Sequence, residues 1–255
     1  MRKKILAAVL CAGLLLLSGC AKQDTPKEPA QLQAGYLDVS ALSEHDTFNE
    51  ELAGNYEMAD ENAEAPVNEL LHYRTEDGKA YLFDRTGRLR RYSSVTEDST
   101  PADAEQSHTD EEYRAICDTV LSSYLADYAD FTEITSEFNS DTKTYNLAME
   151  HKIADGIADY ALIRLDAAGE LYDLSISYAD ADGDCAGQNF VTDDDKVYFE
   201  EQVKPYLTAL QDYSAEVTYI SYKHLNGKVY AFYEVTYTDG ATGIEAGSKR
   251  VIFVQ

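Results

Sequence analysis

The residues with the most chemically suggestive spacing in this 255-residue chain are Asp180, Asp182 and Asp184. Carboxylates at i, i+2 and i+4 open a calcium loop, where alternate side chains converge on one oxygen-preferring cation. The rest of the loop fails: its sixth position is Cys185 where the turn needs glycine, and its twelfth is Val191 where a bidentate Glu belongs. The segment therefore reads as a solvated acidic linker, with no metal site and no cofactor.

Arg85, Arg88, Arg90 and Arg91 form the one basic patch. Such a patch can grip an anionic ligand. Pairing with acidic faces of a neighbouring unit is the favoured alternative, because 47 Asp and Glu residues must find some compensation. A hydrolase needs a nucleophile beside a base, or a metal with an open position. His45, His72, His108, His151 and His224 are scattered, without His-Glu-x-x-His spacing. His151 and His224 fall near the ends of predicted strands and read as structural or surface histidines. Ser140-Asp-Thr-Lys143 matches Ser-x-x-Lys, but it falls in a predicted hairpin turn and lacks the companion motifs of penicillin-binding enzymes. No catalytic residue is assigned, and the chain reads as a non-enzyme.

The elements that must position these residues show an internal repeat of about 83 residues, the length of one small supersecondary unit. Asp84-Arg-Thr-Gly87-Arg-Leu89 recurs as Asp166-Ala-Ala-Gly169-Glu-Leu171, each between two apolar strands. Thr109-Asp-Glu-Glu112 recurs as Thr192-Asp-Asp-Asp195, each placing a Thr cap and acidic first-turn residues ahead of an amphipathic stretch. Tyr113, Ile116, Cys117, Val120, Leu121 and Tyr124 then share one helical face, as do Phe199, Val203, Tyr206, Leu207 and Leu210, with Pro205 predicted to kink or restart the second helix. A long hairpin follows each helix, turning at Asn139 to Thr142 and at Asn226-Gly227. A further short helix is expected near Thr47 to Leu52, ended by Gly54.

The expected fold class is α+β, as tandem units of one helix packed on an antiparallel sheet. The divisions are 1–19, a signal peptide; 20–34, an anchor and tether; 35–108, a partial N-terminal unit; 109–191, a central unit; and 192–255, a C-terminal unit lacking its last strand. Acidic linkers are expected at 57–69, 96–108 and 179–191.

Arg2, Lys3 and Lys4 precede an apolar run from Ile5 to Leu17, and the chain then reads Leu17-Ser-Gly-Cys20. A basic start and an apolar run of this length define a secretory signal, too short for a stable transmembrane helix. The Leu-Ser-Gly-Cys ending resembles the lipobox of bacterial lipoproteins. That resemblance implies diacylglycerol on the Cys20 thiol, cleavage just before it, and a protein held by lipid on the extracytoplasmic face of the cell membrane. After cleavage 18 Lys and Arg face 47 Asp and Glu, a net of −29. Such a charge repels phosphates and excludes nucleic acid as a partner. Export permits a disulfide between Cys117 and Cys185, while the place of Cys117 on an apolar helix face reads as a buried free thiol.

From Thr109 to Tyr178, the helix, the Tyr145-to-Lys152 strand, the Gly156-Ile157 step and the Leu-Asp-x-x-Gly-x-Leu hairpin resemble PepSY-type domains of secreted and lipid-anchored bacterial proteins. The resemblance implies a non-catalytic module and carries over no site residues. The function expected is thus a lipid-anchored binding or interaction module of the bacterial envelope, whose partner is a protein, peptide or wall component. An envelope hydrolase with an unrecognised site is the alternative. A solute-binding lipoprotein is disfavoured because alternating strand-helix-strand patterning is missing.

Overall fold

A computed structural model describes residues 31–94, 105–208 and 211–255. The signal peptide, Cys20, the first part of the tether, residues 96–104 of one predicted linker and Leu210 lie outside the described residues.

The two Thr caps start the two α-helices. In α1, Asp110–Ser122, the Thr109 hydroxyl accepts from the Glu112 N–H while the Glu112 carboxylate accepts from the Thr109 N–H. In α2, Asp193–Leu207, Thr192 and Asp195 make the same reciprocal pair, and Pro205 is accommodated inside the helix. Each pair satisfies two N–H groups that the first helical turn leaves open.

Most of the remaining regular structure is strand. An eight-stranded sheet is built from β1 (His45–Glu51), β3 (Val67–Arg74), β4 (Ala80–Phe83), β5 (Leu89–Ser93), β6 (Thr132–Asn139), β7 (Thr144–Ala154), β8 (Ile157–Asp166) and β9 (Leu171–Ser177). Its order is β1-β3-β4-β5-β9-β8-β7-β6, and every neighbouring pair is antiparallel. A four-stranded sheet, β10-β11-β12-β2, combines β10 (Tyr213–Leu225), β11 (Lys228–Asp239) and β12 (Glu245–Val254) with the short β2 (Glu57–Met58), which runs parallel to β12. The Asn226-Gly227 turn has positive φ at both residues, as the tightest hairpins require.

This overturns the expected class of α+β tandem units. Strand makes up 46% of the structure and helix 15%. Among the described residues the N-terminal segment has no helix: Thr47 to Glu51 belong to β1, which pairs with β3 along its whole length. Pairing of β5 with β9 merges the N-terminal and central strands into one sheet, and β2 from the same N-terminal segment completes the other sheet. A local pattern of caps and turns does not encode such distant pairings. Nor are two of the predicted linkers solvated spacers: 57–69 holds β2 and the start of β3, and Ala179, Asp180 and Ala181 are buried.

The α1 face packs Tyr113, Cys117, Val120 and Leu121 onto the large sheet. Tyr113 stacks on Tyr145 at 5.0 Å, and its hydroxyl donates to the Ala167 carbonyl at 2.7 Å. Full burial of each such side chain contributes roughly 1.5–3 kcal/mol. Phe199 and Val203 of α2 pack with Tyr222, Tyr233 and Phe253 on the small sheet. The opposite face of that sheet is covered by Leu52, Tyr56 and Met58. The β7–β8 turn joins the two layers, because the Tyr222 N–H donates to the Gly156 carbonyl at 2.8 Å and Ile157 enters the α2 core. Gly156 has φ +73°, and a Cβ there would press on the Tyr222 ring at 3.1 Å.

Candidate functional site

The site grows from one aspartate turn. Asp84, with no exposed surface, accepts at Oδ1 from the Thr86 N–H, the Thr86 hydroxyl and the Arg88 N–H, and at Oδ2 from Arg88 Nε at 2.7 Å. The counterpart Asp166 makes the same kind of turn, accepting from the Ala168 and Glu170 N–H groups. Glu170 stands where Arg88 stands in the first turn, so only Asp84 gains a guanidinium. Arg88 goes further: its Nη2 donates to the Asp180 carbonyl at 2.8 Å, and Nη1 lies 3.6 Å from the Asp180 carboxylate.

The acidic run is therefore folded onto the sheets. Asp180 Oδ1 accepts from the Gly183 N–H at 2.7 Å and Oδ2 from the Cys185 N–H at 3.1 Å. Asp182 accepts from the Asp184 and Asn226 N–H groups and lies 3.3 Å from His224 Nδ1. Asp180, Asp182 and His224 each bring one atom within 4.8 Å of the others, whereas Asp184 is exposed. His224, read from sequence as structural, joins the cluster in place of Asp184. The trio has the donor types of a metal site, but both Asp180 oxygens accept backbone N–H groups and a guanidinium lies beside that carboxylate. Burial raises the Asp180 carboxyl above its usual range, with Arg88 opposing. Burial also acts upward on Asp182, but the hydrogen bonds it accepts and the charge of His224 leave it below its usual range.

All four patch arginines are paired. Arg85 meets Glu69, and Arg91 lies 3.5 Å from Asp173. The buried Arg90 donates to the Ile176 and Ala181 carbonyls and lies 3.7 Å from Glu50. Arg88 and Arg90 sit over the Tyr178 ring, 4.2 and 5.5 Å from its centre. The structure thus disperses the patch into separate ion pairs.

Beside this network opens a cleft of about 230 Å³. Its walls come from the segment that follows α1 (Tyr124 to Asp127, then Phe131), from His151 and Ile153 on β7, from Asp159 on β8, and from the loop carrying Tyr178 through Phe190. Gln33, placed in the tether by composition, also lines it, and is fixed there because its Nε2 donates to the Tyr124 carbonyl and its Oε1 accepts from the Leu89 N–H. His151 and Asp159 were not singled out together by sequence. They are direct partners across the β7–β8 hairpin, with His151 Nδ1 3.9 Å from Asp159 Oδ2. The Asp155-Gly156 turn carries that register and was the available signal. Asp159 also accepts from the Ala179 N–H at 2.7 Å, which seats the loop.

Cys185 lines the cleft as a free thiol, and Cys117 is a free thiol on the buried face of α1. Burial, then the charges of Asp180, Asp182 and Asp184, pushes the Cys185 thiol up; burial pushes Cys117 up to about 12. Ser140 and Lys143 lie in the β6–β7 turn, not at a helix start. Among the described residues no helix is long and apolar enough to cross a membrane. Comparison with family models, curated proteins and solved structures finds no match.

Proposed function

We propose that this chain is a lipid-anchored binding protein of the bacterial envelope, which holds a ligand in the cleft between α1, the β7–β8 hairpin and the 178–190 loop. The observation that carries the reading is the cleft itself: a 230 Å³ concavity with aromatic walls and a few convergent polar groups, the usual make-up of a small-ligand site. The lipobox-like ending at Cys20 supports the location. Two or three acyl chains, at roughly 0.8 kcal/mol per buried methylene, hold a protein stably on a bilayer. The PepSY-like pattern between Thr109 and Tyr178 supports binding without catalysis. A thiol hydrolase would need Cys185 as a thiolate, and its burial and acidic neighbours act against that.

Two measurements test this reading. Palmitate labelling and membrane retention of the full chain should both vanish in Cys20→Ala; a membrane-retained Cys20→Ala chain overturns the anchor. Thermal unfolding of residues 21–255 should rise with at least one probe from a panel of muropeptides, short peptides and amines, and the rise should be lost in Ala186→Trp, which fills the cleft. A panel that leaves the unfolding temperature unchanged overturns the binding role.

A further inference from the structure

Resting on that reading of the cleft, we infer that its ligand is an organic cation: an ammonium or guanidinium on a short apolar stem, either a free amine or a basic side chain of a peptide. The charge balance of the walls decides the sign. Arg88 is the one guanidinium in the lining, and it is committed to Asp84 at 2.7 Å and to the carbonyl and carboxylate of Asp180. It offers an anion little, because an incoming anion would have to compete with two carboxylates already in place.

Asp180 is spent in turn on Arg88 and on two backbone N–H groups, which leaves two lining carboxylates, those of Asp127 and Asp159, to set the sign. Asp127 is exposed on the rim, and no ion pair to it occurs among the described residues. Asp159 has one oxygen on the Ala179 N–H and the other turned toward His151. Phe131 and Phe190 supply ring surface in the same walls. An exposed carboxylate at the rim, a buried one deeper in the wall and aromatic rings beside them are what recognise organic cations, by charge and by attraction of the cation to the rings. The strongly acidic surface raises the local concentration of such ligands further. A hard metal ion would have to give up bound water to meet the rings and prefers oxygen ligands, and a polyanion is repelled throughout.

The test is calorimetric titration of residues 21–255 with benzylammonium, with Nα-acetyl-arginine amide and with the neutral isostere benzyl alcohol. Benzylammonium or the arginine amide should bind with one-to-one stoichiometry and at least about tenfold more tightly than benzyl alcohol, the ratio that one well-placed ionic contact supplies. Asp127→Asn should remove most of that preference without changing benzyl alcohol binding. Tighter binding of the amine assigns a free amine as the source, and tighter binding of the arginine amide assigns a peptide side chain. Equal affinity for benzyl alcohol and benzylammonium overturns the cation assignment while leaving the cleft as a binding site. Binding of the cations that is unaffected by Ala186→Trp overturns the cleft itself.

Discussion

Arg88 and Asp180 are 92 residues apart in sequence and joined in the fold, with the Arg88 guanidinium donating to the Asp180 carbonyl at 2.8 Å while its Nε holds the fully buried Asp84. This one side chain fastens the 178–190 loop, and with it one wall of the cleft, to the turn before β5. Replacing it by Met should leave two partly or fully buried carboxylates without their cation. Loss of one member of a buried pair costs about 3–5 kcal/mol, a fall in Tm of roughly 6–20 °C for a chain of this size. Lys should rescue only part, since it cannot reproduce the forked contact. Circular dichroism melts check this; a Met variant as stable as the wild type contradicts it.

Lys223 gives a pH signature. Its ammonium donates to the Ser177 hydroxyl and the Tyr178 carbonyl, both at 3.0 Å, and burial pushes it down to about 8 from an ordinary 10.5, with the charge of Arg90 adding to the shift. The unfolded chain therefore holds this proton more tightly than the folded one. The cost of burying it is full below pH 8 and is relieved as pH rises toward 10.5, so this group makes stability increase with pH in that window. Urea midpoints measured on either side of pH 8 should show that increase in the wild type and a flatter profile in Lys223→Met. Identical profiles contradict the assignment.

The parts of this architecture that the sequence announces are the local ones. The Thr109 and Thr192 caps, the Asn226-Gly227 turn and the paired Asp-x-x-Gly turns each depend on residues within four positions of one another, and each is present. What escapes sequence reading depends on distant partners. The stretch from Thr47 to Leu52 looks like a short helix ended by Gly54, yet residues 47–51 become strand because β3 offers them a ladder. Asp180 looks like a solvated linker residue, yet it is buried because Arg88 arrives to neutralise it. His151 and Asp159 escape notice separately, since only the hairpin register makes them neighbours.

The caps make a quantitative prediction. Thr109→Ala and Thr192→Ala should each destabilise by about 1 kcal/mol, lowering Tm by roughly 2–4 °C. Because they cap separate helices that pack on different sheets and share no partner, the two should add. Melts of the single and double variants check this, and a double variant no less stable than either single one contradicts it.

Thiol chemistry separates the two cysteines. Residues 21–255 should contain two titratable thiols when denatured without reductant, as the free Cys117 and Cys185 require. In the native state Cys117 should be unreactive, and Cys185 should react more slowly than a simple thiol at neutral pH because its thiolate is suppressed. Asp184→Asn should speed Cys185, by removing one of the charges that suppress it. A native Cys185 faster than the simple thiol contradicts this electrostatic picture.

The central claim is that the cleft takes an organic cation at a defined place instead of gathering cations over an acidic surface. Its most direct measurement is an amide-shift titration of ¹⁵N-labelled residues 21–255 with benzylammonium. Saturable shifts confined to the cleft, at Asp127, His151, Asp159 and Gly187, are the expected result. Shifts that grow without saturation and scatter over the acidic exterior, with those four amides unmoved, would contradict it.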